Sequence, residues 1–467
     1  MNIKIELNDN DRLAKLNENN QLEPLQDLLN RLTENVKSET EIKRITDVCK
    51  ALHDGTLERE AKAYKRDGTL KPLTKAECKR LHTVLAERER EQLLNDLKQN
   101  KPGNYVVVDN GKALSHLLSQ LNKQTVIPLD VETTGTDIWK DHIVGYVLSD
   151  VEEDVHYYIP TKHRTDTLQA KHDVVTRLIK PILEKEDVLY VGHNIKFDLH
   201  MLRNEGINVT GKLWDTLEVM KLMNENEPSF ALKDLVTKYL GNESHTYGKL
   251  FGNVGFDEVD DLTLAGAYAC KDGDVTHQLF LYQKKVLEDK LPTIYRYVTE
   301  VEMPLIHVVI AMERRGFTID IDYAEVYGKE LLSEQAEIKE RIDAVLGEIN
   351  LDSPKQVKEA IEKHTGRQLE NTNAKTTLNP MSSEFPIIKD ILQYKKITKL
   401  YGTYVETLPD HIIEQTGKLM PTFNQNGAKT GRFSSGGGSV NVQNQSGDSK
   451  SLFVADEGRV FVGGDFS

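Results

Sequence analysis

Only three cysteines, Cys49, Cys78 and Cys270, occur in 467 residues. They lie far apart and fit neither a disulfide framework nor a zinc spacing, so covalent staples and a structural zinc are excluded and a reducing, cytoplasmic setting is expected. No stretch approaches about 20 consecutive apolar residues, which excludes a membrane-spanning helix. Met1 to Asp9 alternates apolar with charged residues and lacks a signal-peptide core. Internal repeats and low-complexity tracts are missing. So is a basic excess: 60 Lys and Arg stand against 74 Asp and Glu, for a net charge of −14. That sum counts mildly against nucleic-acid binding. Yet DNA is met by a local patch, and a protein that holds divalent metals needs clustered carboxylates that push the total down. What is present is 38% hydrophobic and 29% charged residues, the balance of a soluble globular chain with real cores. The length suits about three domains.

Residues 1–104 read as a helical, highly charged region, with Leu81, Leu85, Leu93, Leu94 and Leu97 set among Glu, Arg and Lys. Lys101-Pro102-Gly103-Asn104 punctuates its end. From Tyr105 the texture changes to β-branched runs, Tyr105 to Val108, Thr125 to Val131, His142 to Leu148 and Val155 to Ile159. A helical stretch follows near His172 to Glu184, then an apolar run, Val188 to Val191, that leads into a helix. The order β-β-β-α-β-α predicts a mixed sheet flanked by helices, an α/β domain over 105–290. Residues 291–420 read as mostly helical. Residues 421–467 are turn-rich and close on a predicted strand, Arg459 to Val462, before Gly463-Gly464-Asp465-Phe466-Ser467.

Acidic residues carry the chemistry. Asp130 and Glu132 stand two apart on an apolar strand, so their side chains share a face. Two buried carboxylates repel unless a cation lies between them, although a lone D-x-E is equally the end of a strand in solvent. In Asn194-Ile195-Lys196-Phe197-Asp198-Leu199, residues Ile195, Asp198, Leu199 and Leu202 fall on one helical stripe. Asp198 there is either an inward carboxylate or a first-turn residue that favours the helix dipole. In Tyr268-Ala269-Cys270-Lys271-Asp272, one helical turn separates Tyr268 from Asp272, which lets hydroxyl and carboxylate point into one site. A core tyrosine with a rim aspartate is the plainer alternative. Asp274 faces elsewhere and reads as structural. Taken together, the three acidic elements suit a hard divalent cation, Mg²⁺ or Mn²⁺.

The order and spacing of these elements resemble the three-motif signature of the DEDD exonuclease superfamily, in the variant with a tyrosine in the third motif. Leu129-Asp130-Val131-Glu132-Thr133, Val191 to Asp198 and Tyr268 to Asp272 look like the proofreading domain of family A DNA polymerases. Tyr158-Ile159-Pro160 with His163, and Trp214-Asp215-Thr216, add to the likeness. The resemblance implies a ribonuclease H-like fold and a 3′→5′ exonuclease using two Mg²⁺ ions, with Mn²⁺ as a substitute. It implies Asp130, Glu132 and Asp272 at the first ion, Asp130 bridging to the second with Asp198, and Tyr268 orienting the attacking water. Thr133 and the residues up to Thr136, with Asn194 and Phe197, are expected at the terminal nucleotide of a single-stranded 3′ end.

A second resemblance to the same family runs from Glu302-Met303-Pro304-Leu305 to the end, through Arg314-Arg315-Gly316-Phe317 and Leu351-Asp352-Ser353-Pro354. Lys395, Lys396 and Lys399, beside Tyr401 and Tyr404, look like the polymerase thumb that tracks a primer–template backbone. Arg432 in Thr430-Gly431-Arg432-Phe433-Ser434, and Asn441, Gln443 and Asn444 further on, match positions that touch the minor groove, where such donors meet acceptors common to all base pairs. Gly436 to Ser439 departs from the family's usual spacer, and Lys450 is the one basic residue where arginines are usual. Asp465 resembles the first catalytic aspartate of a polymerase motif. One carboxylate does not build a two-metal site, so polymerisation is expected only with a separately encoded C-terminal half. A phage-type enzyme in the host cytoplasm is the expected source. Two alternatives stay open: a ribonuclease D-like exoribonuclease, and a non-catalytic half that docks with a second chain.

Overall fold

The computed structural model describes residues 25–34, 36–57, 71–436 and 440–464. Three helices open it: α1 (Leu25–Thr33), α2 (Glu39–His53) and α3 (Lys75–Gln99). Thr74 caps α3 by accepting from the Glu77 N–H. Helix α3 serves two cores. Leu81 and Leu85 pack with α1 and α2, whereas Leu93, Leu94 and Leu97 lie against the domain that follows. Lys98 adds an ion pair to Asp261 at 2.6 Å.

That domain is built on six strands, β1 (Tyr105–Val107), β2 (Val126–Thr133), β3 (Ile143–Asp150), β4 (Val155–Pro160), β5 (Leu189–Gly192) and β6 (Lys212–Asp215). Their order across the sheet is β1-β4-β3-β2-β5-β6. β3 runs antiparallel to both its neighbours, and the pairs β1–β4, β2–β5 and β5–β6 are parallel. The sheet is therefore mixed, as expected. Two elements go beyond the expected order: helix α4 (Gly111–Leu121) between β1 and β2, and strand β6. Leu114, Leu117 and Leu121 give α4 a helical stripe, which the neighbouring strand runs obscured; four residues of β6 are too few to display an alternation.

One face of the sheet buries Leu129 and Val131 with α4 and with α5 (His172–Leu183). Between β5 and β6 runs α6 (Ile195–Asn204), followed after β6 by α7 (Thr216–Met223) and α8 (Leu232–Leu240). Across the other face lies the long helix α9 (Leu262–Lys290), started by Asp261, which accepts from the N–H groups of Thr263 and Leu264. Glycine permits its close approach. A Cβ on Gly266 would collide with Val107 Cγ2, and one on Gly273 would stand 2.9 Å from Val147 Cγ1.

Helix α10 (Met303–Arg315) adds Met303, Ile306 and Ile310 to the main core, and a second hydrophobic core forms around α11 (Ile321–Leu346), α12 (Pro354–Thr365) and α13 (Pro386–Leu400). Three two-residue strand pairs decorate it, including β7 (Phe423–Asn424) with β8 (Ser434–Ser435). The strand predicted at Arg459 to Val462 does not form. No other strand of the described residues lies beside it to take up its backbone groups, and Val460, Phe461 and Val462 are exposed. Among the described residues no helix is long and apolar enough to cross a membrane.

A candidate two-metal exonuclease centre

The candidate site opens where β2 meets α6, α8 and α9. Alternation along β2 sends Leu129 and Val131 to the main core and turns Asp130 and Glu132 to the opposite face, toward α9. Asp198 sits on α6 beside buried Ile195, Leu199 and Leu202 and is itself 2% exposed. Its Oδ1 accepts the Val131 N–H at 2.9 Å, which ties α6 to the centre of β2. Asp130 is hydrogen-bonded to Asp198. On α9, Tyr268 is buried beside the cluster and Asp272 lies one turn on.

The electrostatics couple three of the four carboxylates, Asp130, Glu132 and Asp198. Burial raises the carboxyl of Asp130, against the hydrogen bond to Asp198, the Val131 N–H and the charge of Lys233. Burial and the Asp130 charge hold Glu132 well above the usual carboxylate range. The same two causes raise Asp198. Tyr268 is raised by burial and then by Glu132 and Asp130. Ionising any one of these groups makes ionising its neighbours costlier, which is the signature of a site short of positive charge.

Lys233, on the first turn of α8, is a member of the site that the sequence motifs do not contain. Its ammonium forms an ion pair with Asp272 and lies 4.9 Å from the centre of the Tyr268 ring. Burial lowers it to about 8, opposed by Glu132 and Asp130. One signal exists in the sequence: Lys233 shares a helical face with buried Val236, an odd place for a charge.

A second aspartate shapes the site without facing it. Asp215, at the end of β6, accepts the N–H groups of Asn194 and Ile195 at the start of α6 and of Leu217 and Glu218 at the start of α7. Burial, with Glu218 second, raises its carboxyl to about 7 despite those donors. Asn194 takes the left-handed conformation, φ 59°, which asparagine tolerates. The other residues of the likeness are structural: Tyr158 Oη bonds His163 Nε2 at 2.6 Å, Trp214 Nε1 donates to Gln283, and Asp274 accepts from Tyr105.

The hard oxygen set fits Mg²⁺ or Mn²⁺ in kind. Asp272 Oδ1 is buried and faces the Lys233 ammonium, the place a cation would take. Among the described residues, though, no three His, Cys, Asp or Glu side chains already stand in ligand geometry.

Of the expected DNA contacts, Thr133 is half-buried and donates to the Gly135 carbonyl, and Phe197 packs at the edge of the main core. Lys395 is half-buried, Lys399 is exposed, and Lys396 pairs with Asp448 at 2.8 Å. Arg432, Asn441, Gln443 and Asn444 are exposed, but Asn441 Oδ1 is occupied by the Gln443 and Asn444 N–H groups. The lysines, Arg432 and the Asn and Gln residues lie on segments around the second core, away from the carboxylate cluster. Asp465 lies outside the described residues.

A family model described as 3′-5′ exonuclease matches residues 105–288, which span the sheet and all four carboxylates. A second, described as DNA polymerase family A, matches residues 321–467. The chain is 28% identical over 386 residues to DNA polymerase I of Pseudomonas aeruginosa, covering 78% of this chain and 42% of that protein. It is 30% identical over 391 residues to DNA polymerase I of Chloroflexus aurantiacus, covering 79% and 41%. The solved POL domain of Pol1 from M. smegmatis, in complex with DNA primer-template and dNTP, shares the fold with a TM-score of 0.58 at 21% identity, over 76% of this chain and 59% of that one. Sheet, carboxylates and exonuclease match define a protein with a 3′-5′ exonuclease domain. The chain belongs to the family A DNA polymerases, and carries that domain together with part of the polymerase domain. It spans about two-fifths of the length of these curated relatives.

Proposed function

We propose that this chain is a 3′→5′ DNA exonuclease, the proofreading portion of a family A DNA polymerase, and removes nucleotides from a single-stranded 3′ end. The observation that carries the reading is the meeting of Asp130, Glu132, Asp198 and Asp272, from β2, α6 and α9, beside buried Tyr268. Asp130, Glu132 and Asp272 would hold one Mg²⁺, and Asp130 with Asp198 a second; Mn²⁺ has the same oxygen preference. When bound, the ions activate the attacking water and stabilise the departing 3′ oxygen. Tyr268, whose hydroxyl burial and the neighbouring carboxylates keep protonated, is a donor that orients that water. Thr133, Asn194 and Phe197 border the cluster and would position the terminal nucleotide.

Residues 321–467 supply the polymerase side. Lys395, Lys396 and Lys399 on α13 offer charge to a duplex backbone, and Arg432, Gln443 and Asn444 offer exposed donors to its minor groove. A primer–template is thus the second DNA partner. The similar curated proteins named above are bacterial; a phage-type origin rests on the sequence likeness alone.

The test is degradation of 5′-labelled single-stranded DNA by the purified chain with Mg²⁺. A 3′→5′ ladder that Asp130→Ala abolishes supports the reading; no degradation with Mg²⁺ or Mn²⁺ refutes it.

A further inference from the structure

Lys233 pairs with Asp272 and acts by charge on Asp130 and Glu132, although it stands on a different element from any of them. Its side chain is 11% exposed. An ammonium taken that far from water is costly unless carboxylates compensate it; here Asp272 pairs with it, and the charges of Asp130 and Glu132 act on it. The Tyr268 ring, 4.9 Å away, covers it further through a cation–π contact. Asp272 Oδ1 meets this cation without hydrogen-bond geometry. Meanwhile no three acidic side chains of the described residues are drawn into a ligand set. Asp272 is thus committed to an ammonium, at the position a divalent ion needs.

We propose that Lys233 is the built-in counter-ion of the metal-free centre, and that a divalent ion binds by displacing its ammonium from Asp272. The inference rests on the exonuclease reading and goes beyond it. It makes Lys233 a positioning residue: it holds the acidic side chains together before metal arrives, and it weakens the affinity for the first ion because both cations claim the same oxygens.

The test is Mn²⁺ binding to the whole chain without DNA, followed by electron paramagnetic resonance of the free ion, together with thermal melting in EDTA and in excess Mn²⁺. Lys233→Met is expected to bind Mn²⁺ at least about tenfold more tightly than the unaltered chain. It is also expected to melt lower in EDTA and to recover in Mn²⁺. Lys233→Arg, which keeps the charge, is expected to show no such gain. Equal or weaker binding by Lys233→Met overturns the proposal alone, as does a melting loss of the same size with and without Mn²⁺. If Lys233→Met folds only in Mn²⁺, that dependence is the expected result; failure to fold in either condition overturns it. If the unaltered chain binds no Mn²⁺ and degrades no DNA, the exonuclease reading falls with the proposal.

Discussion

Two buried acidic sites in this chain are opposites. In the cluster around Asp130 one lysine serves Asp130, Glu132 and Asp272, and Asp130, Glu132 and Asp198 are all raised. On another face of α6, where Lys196 and His200 bracket Asp198 in the chain, Glu313 of α10 is a single carboxylate that accepts from Lys196 and His200 and from the Phe423 N–H of β7. Burial raises it, yet the His200 hydrogen bond and the Lys196 charge prevail and hold it below its ordinary value. Glu313 is satisfied and joins the exonuclease domain to the polymerase part. The Asp130 cluster is unsatisfied, and its deficit is the capacity to bind an ion. Buried charge is thus a joint in one place and a reactive centre in the other, and the supply of partners decides which.

The sharpest way to probe that contrast is to delete one carboxylate from each site. Asp130→Ala should lower nuclease activity by at least about 10²-fold while the metal-free protein melts no lower than before, because repulsion is relieved. Gel-based activity and calorimetry in EDTA check both halves. Glu313→Ala should destabilise by about 3–5 kcal/mol, since Lys196 and His200 lose a buried partner; urea unfolding measures it. Equal stability losses in the two variants would erase the contrast. Gly273→Val should push α9 off β3, with a loss of about 1–3 kcal/mol and of activity, because Asp272 moves with its helix.

Asp215 sharpens the comparison with pH. Its folded carboxyl is raised to about 7, so the stability it adds is complete below about 4 and disappears as pH climbs through about 7. Unfolding free energies should therefore fall between about pH 4 and pH 7, and fall less in Asp215→Asn. That variant should also be less stable by about 1–3 kcal/mol, since an amide NH₂ would face a backbone N–H. The smallest effect on stability is expected on the surface. Replacing Lys395, Lys396 and Lys399 by Ala should change stability by under about 1 kcal/mol, because the Lys396–Asp448 pair is 60% and 44% exposed. The same variant should bind duplex DNA with a salt slope shallower by about 0.9 for every phosphate that the lysines no longer neutralise.

The acidic centre was largely legible because each member follows a local period. Asp130 and Glu132 obey the two-residue repeat of a strand, and Asp198 obeys the helical stripe of Ile195, Leu199 and Leu202. Lys233 was not, since a single charge at a helix start gives no hint of what crosses the sheet to meet it. The Glu313 joint was invisible for the same reason: its partners come from 113 and 110 positions away in the chain. Arg459 to Val462 misled because strand composition cannot report whether a neighbouring strand exists.

The four backbone donors gathered by Asp215 have an implication for engineering. Asp198 owes its place to a carboxylate spent on backbone N–H groups, at the tip of a strand only four residues long. A transplant of the three acidic segments onto another sheet would carry the ligands and lose their alignment. Trp214-Asp215-Thr216 must travel with them.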